Sequence, residues 1–131
     1  MNSNDLTIIR RKKEIRHYLG YNKPLMVIQM PKGTFIFYKK AMELLNATHG
    51  DALMFAFNKS KSYAYVYKES PEIDSYYLHG EYRAYGNFSN KQLMKYFIDF
   101  FNINKAKSVY FEISGPEPQS KYFKISLIKW E

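Results

Sequence analysis

The residue types best placed to do chemistry here are cations and flat rings. Lys59-Ser60-Lys61-Ser62-Tyr63-Ala64-Tyr65-Val66-Tyr67-Lys68 spaces three tyrosines by two and flanks them with lysines. On a strand that spacing sends every tyrosine to one face, where rings can stack on unpaired bases while lysines neutralise phosphates. Strand tyrosines can equally pack half-buried on a sheet without meeting a ligand. A second cationic group is Arg10, Arg11, Lys12, Lys13 and Arg16 in the leader. Such a run either meets phosphate or stays solvated. The candidate nucleic-acid-binding residues are therefore Arg10, Arg11, Lys12, Lys13, Arg16, Lys59, Lys61, Tyr63, Tyr65 and Lys68.

Catalytic and metal chemistry finds less support. His17, His49 and His79 are far apart, with none paired at metal-ligand spacing. There is no Cys, so thiolate zinc, disulfides and a Cys nucleophile are excluded. Gly33-Thr34 lacks the earlier glycine and the lysine of a phosphate loop, and no serine sits in a Gly-x-Ser-x-Gly elbow. Asp51 suits a turn after Gly50, and Glu69, Glu72 and Asp74 suit a solvated linker. Arg83-Ala84-Tyr85-Gly86-Asn87-Phe88 departs from the RNA-binding Arg/Lys-Gly-aromatic-Gly signature at Ala84 and Asn87. The expectation is no enzyme, no cofactor and no metal.

With 131 residues, 46% hydrophobic, the chain is long enough for one domain with its own core. A net charge of +8 accompanies 13 Tyr, 10 Phe and one Trp, a composition unlike that of disordered chains. Residues 1–23 hold six basic and two acidic side chains, half of that net charge. No apolar run reaches the roughly 18 residues of a membrane span, and Met1 to Gly20 lacks the apolar stretch of a secretory signal. Absence of Cys fits a reducing cytoplasm.

These residues must be positioned by recognisable elements. The leader reads as an amphipathic helix capped by Asn4 or Asp5, with Ile8, Ile15 and Leu19 on one face, or as a loose basic arm. Asn22-Lys23-Pro24 ends any helix there. Leu25 to Met30 between two prolines reads as a buried strand, Thr34 to Phe37 as a second, and Lys39 to Asn46 as a short helix with Met42 and Leu45 on its apolar face. Leu53, Phe55 and Phe57, then Tyr63, Tyr65 and Tyr67, alternate as two strands joined by the Asn58-Lys59-Ser60-Lys61 hairpin loop. Ser89 and Gln92 form a capping box, with Phe88 stapling onto Leu93, ahead of an apolar stripe of Leu93, Met94, Phe97, Ile98 and Phe101 that Asn102 ends. Val109, Phe111 and Ile113, then Phe123, Ile125 and Leu127, alternate on either side of the Gly115-Pro116-Glu117-Pro118 turn.

The expected class is α+β, mostly antiparallel sheet with two main helices. Thr34 to Lys68 and Tyr82 to Lys129 each read as strand, helix, strand, loop, strand, an internal repeat of order in one domain of residues 24–131, with residues 69–81 as linker. The halves run about 24–68 and 82–131.

Gly33-Thr34-Phe35-Ile36-Phe37, then Lys39-Lys40-Ala41-Met42-Glu43-Leu44-Leu45, then Gly50-Asp51-Ala52-Leu53-Met54-Phe55, resembles the AbrB/MazE swapped-hairpin DNA-binding family. Tyr38 stands where that pattern has a proline, Thr34 where it has an arginine, and Asn104-Lys105-Ala106 replaces the Gly-Asp turn in the second half. The resemblance implies a transcriptional regulator that binds duplex DNA through basic loops and strands, with two halves standing in for a dimer. In arrangement, though not in motif, the chain is also similar to single-strand DNA binders of the Whirly type. The expectation is thus a non-enzymatic DNA-binding protein of the cytoplasm, for duplex or single strands. A homo-oligomeric interaction module built on exposed aromatics is the other option.

Overall fold

A computed structural model describes residues 23–70, 75–80 and 85–131. Its elements are β1 (Leu25–Gln29), β2 (Thr34–Phe37), α1 (Lys39–Leu45), β3 (Ala52–Asn58), β4 (Tyr63–Glu69), β5 (Tyr76–Tyr77), β6 (Gly86–Ser89), α2 (Lys91–Phe100), β7 (Ser108–Ser114) and β8 (Phe123–Trp130). The class is α+β, and all strand pairs are antiparallel. The leader, with its helix-or-arm alternatives, lies outside the described residues.

Eight strands form one sheet in the order β5-β3-β4-β8-β7-β1-β2-β6. The ends of that order meet: His79, just after β5, exchanges two 2.7 Å backbone hydrogen bonds with Asn87 of β6. The sheet therefore curls into a nearly closed barrel, and eight strands leave an interior that side chains can fill. Period two decides what fills it. Phe35 and Phe37 of β2, Ala64 and Val66 of β4, Val109, Phe111 and Ile113 of β7 and Ile125 of β8 are fully buried.

Rings dominate the interior. Phe35 stacks on Phe88 across the β2–β6 pair at 4.8 Å and meets Phe55 of β3, on the far arc of the sheet, at 6.0 Å. Phe97 enters from α2, fully buried, against Phe35, Phe55, Phe57 and Phe111 at 4.9–5.7 Å. The stripe predicted for this helix is thus what seats it.

The helices cover opposite ends of the barrel. Tyr38 N–H, opening α1, bonds Leu25 O where β1 starts, and Met42 lies so close to Gly86 that a Cβ there would come within 2.7 Å of its methyl. α2 covers the end where β1 finishes and β2 begins. There Asn90 N–H donates to Gly33 O at 2.9 Å, and Gly33 has φ +74 with no room for a Cβ against the Asn90 carbonyl. Both helices end alike, on Asn46 and Asn102 in the left-handed region, with Ala47 N–H to Met42 O and Ile103 N–H to Ile98 O closing the last turn.

The pairing pattern maps onto itself when residues 25–69 and 76–130 are exchanged. β2 pairs with β6 and β4 with β8, while β1 lies beside β7 and β2 as β5 lies beside β3 and, through His79, β6. Each half therefore runs strand, strand, helix, strand, strand.

Two expectations need correction. The cap of α2 is Asn90, whose Oδ1 accepts from Leu93 N–H at 2.8 Å, not Ser89. Ser89 still pairs with Thr34 in the ladder, their hydroxyls 3.0 Å apart, so Asn90 is the first residue free to cap. Nor is the stretch before β6 only a linker, because it contains β5 and the buried Leu78.

Candidate nucleic-acid interface

The outer face of β4 follows from what β4 must put inside. Ala64 and Val66 are consumed by the core, so Tyr63, Tyr65 and Tyr67 point outward, each half-buried. Register then brings β8 alongside, with Tyr65 opposite Lys124 and Ala64 opposite Ile125. On the other side Tyr65 faces Ala56 of β3 and Tyr63 faces Asn58. The small Ala56 leaves Tyr65 open on that flank.

Tyr122, in the turn before β8, completes a band of rings. Tyr63 meets Tyr65 at 5.5 Å, Tyr65 meets Tyr122 at 5.7 Å and Tyr122 meets Tyr67 at 4.9 Å, all near edge-to-face. Cations sit on this band: Lys124 Nζ lies 4.1 Å from the Tyr63 ring centre and Lys121 Nζ 4.7 Å from that of Tyr67. Lys121 also donates to Glu69 Oε2 at 3.3 Å, which raises the lysine's pKa. The Glu69 carboxylate is held below its ordinary pKa first by the Ser70 backbone N–H and then by Lys121. Tyr65 is shifted upward, chiefly by its hydroxyl bond with Tyr63 and then by burial, so it stays a neutral phenol at physiological pH.

The hairpin tip supplies the remaining cations. Asn58 closes it: its Oδ1 accepts from Ser60 Oγ at 2.9 Å and from Lys61 N–H at 3.3 Å, and its carbonyl accepts from Ser62 N–H at 3.0 Å. Ser62 takes a positive φ of 62 to complete the turn. Lys59 and Lys61 are left exposed, with no acidic partner among the described residues. Between this tip, the Tyr63, Tyr65 and Tyr122 rings, and Glu117 and Ser120 of the β7–β8 turn lies a cleft of about 840 Å³. That volume is within the usual range for a small-molecule site.

Of the residues singled out from sequence, Lys59, Lys61, Tyr63 and Tyr65 come together on this surface. Lys68 does not join them. It shares the inward parity of Ala64 and Val66, opposite Leu53, and its Nζ donates to Asn46 O at 2.7 Å and lies 3.7 Å from Asp51 Oδ2. Its place is beneath the end of α1. Arg10, Arg11, Lys12, Lys13 and Arg16 lie outside the described residues. The structure adds Lys121, Tyr122, Lys124 and Glu117, which the β4–β8 pairing carries to the tyrosines. Alternation in β8 already places Lys124 outward, but nothing local pairs it with Tyr65.

Elsewhere two titratable side chains hold loops in place. Asp51 Oδ2 accepts from Thr48 N–H at 2.9 Å, and His49 Nδ1 accepts from Gly80 N–H at 2.9 Å. Among the described residues no group of three or more His, Cys, Asp or Glu could hold a metal ion. Among them, too, no helix is long and apolar enough to cross a membrane. Set beside known proteins, the chain matches no family model, no curated protein and no solved structure.

Proposed function

We propose that this protein binds single-stranded nucleic acid, without chemistry, on the outer face of β4 and β8. One observation carries the reading: Tyr63, Tyr65 and Tyr122 line a cleft of about 840 Å³ together with Lys59 and Lys61, and Tyr67, Lys121 and Lys124 extend the band of rings and cations beside it. Single strands are held by such a pairing, since every base has a face to stack and every nucleotide a charge to neutralise. The two lysines over Tyr63 and Tyr67 are on flexible stems and can swing from ring to phosphate as a base arrives. The test is fluorescence anisotropy of labelled single-stranded and duplex oligonucleotides at two salt concentrations. Single-strand affinity should exceed duplex affinity and fall with salt. Absence of single-strand binding at low salt would overturn the reading.

Duplex binding by an AbrB/MazE-like regulator is the second reading. It is favoured by the exchange of strands between the halves, β2 with β6 and β4 with β8, within one chain. It predicts an affinity that survives Tyr63→Ala and Tyr65→Ala and falls when the basic leader is removed.

A further inference from the structure

We propose that Glu117 makes this cleft prefer guanine, an inference that rests on the single-strand reading above. The cleft is otherwise cationic, yet Glu117 lines it, half-buried, with no cation partner among the described residues. Its main chain is fixed, since its N–H donates to Tyr122 O at 2.9 Å and its carbonyl accepts from Ser120 N–H at 3.1 Å. The neighbouring acceptors are committed: Asn58 Oδ1 closes the hairpin and Ser120 Oγ accepts from Tyr122 N–H at 3.1 Å. The Tyr65 hydroxyl is engaged by the Tyr63 and Asn58 side chains. Glu117 is the one acid among the residues lining the cleft, and its carboxylate can only accept.

A phosphate is repelled by such a group, so the strand's backbone belongs on the side of Lys59 and Lys61, with a base turned toward Glu117 between the rings. Which base then follows from its edge. Guanine presents two adjacent donors, N1–H and the N2 amino group, and can satisfy both carboxylate oxygens. Adenine and cytosine offer one amino group beside an acceptor. Thymine and uracil offer one N–H between two carbonyls that face the carboxylate unfavourably.

The experiment measures three single strands of about twelve nucleotides, long enough to span a site of this kind. One is all thymidine, one has a single central guanine and one has inosine at that place, lacking only the N2 amino group. With the wild-type chain the guanine strand should bind about tenfold more tightly than the thymidine strand, and inosine should lose most of that gain. In Glu117→Gln the guanine-to-thymidine ratio should fall to near one, even as removal of a negative charge tightens binding of every strand. Equal binding of guanine and thymidine strands by the wild type, or a ratio unchanged in Glu117→Gln, overturns the role of Glu117 and leaves single-strand binding standing. Binding of none of the three overturns both. The inosine comparison needs no variant to fold.

Discussion

Replacing Tyr65 with alanine separates a cost to the fold from a cost to binding. The ring is half-buried on the outer face and meets Tyr63 at 5.5 Å and Tyr122 at 5.7 Å, both near edge-to-face. Such pairs contribute about 0.5–1.5 kcal/mol each beyond area burial. Solvent on the open side keeps both toward the lower end, so the fold should lose about 1–2 kcal/mol. That is small against a typical domain stability of about 5–15 kcal/mol, and the variant should fold. Binding loses a separate amount, because a base stacked on an aromatic side chain contributes about 1–3 kcal/mol, a factor of about 5 to 150 in Kd. Tyr65→Phe keeps the ring and removes only the hydroxyl, with its bonds to Tyr63 and Asn58, so it should retain most of the affinity. The assay is anisotropy with a labelled thymidine single strand, run on variants whose thermal melts show them folded at the assay temperature. A folded Tyr65→Ala chain that binds like its parent would refute stacking at this position. So would a Tyr65→Phe chain that loses as much as Tyr65→Ala.

Other substitutions probe the barrel and the charges separately. Phe97→Ala removes a fully buried ring from the middle of the aromatic core and should destabilise the protein by about 3–5 kcal/mol in denaturant melts; a loss under about 1 kcal/mol would mean that α2 is not seated by this residue. Lys59→Ala with Lys61→Ala removes two phosphate contacts, so the log-log salt slope for single-strand binding should shrink by about 1.4, and an unchanged slope would take the hairpin tip out of the interface. The Glu69 carboxylate has its pKa lowered by the Ser70 N–H and then by Lys121, so its tie to Lys121 is present above the ordinary carboxylate pKa and disappears as pH falls through the lowered value. An NMR titration should place its midpoint below that of a free glutamate, and Lys121→Ala should move it only part of the way back; no movement would show that the lysine does not reach it.

Sequence periodicity carried much of the local structure and little of the closure. Alternation set the facing of β4, as the buried Val66 beside the half-exposed Tyr65 shows, and held less strictly in β3 and β7, where Ala52 with Leu53 and Val109 with Tyr110 and Phe111 are buried in succession. Ending α2 on asparagine was legible too, since a left-handed residue suits Asn102. The cap of α2 lay one residue beyond the Ser89 signal, because a tertiary ladder to Thr34 outranked the local motif. β5 has two residues in a polar stretch, too short for any period to register. The site divides in the same way. Tyr63 and Tyr65 could be found from spacing alone, and the same period puts Lys68 on the inner side with Val66. Lys121, Tyr122, Lys124 and Glu117 reach those tyrosines only through the β4–β8 register, a pairing of segments distant in sequence that no local pattern encodes.

The most direct measurement is a competition titration of the wild-type chain at low salt, with a labelled single strand displaced by unlabelled single strand or by matched duplex. If the outer face of β4 and β8 is a stacking surface, binding is saturable, single strand displaces at far lower concentration than duplex, and affinity falls as salt rises. Equal displacement by duplex, or no binding of the labelled strand at all, would contradict it.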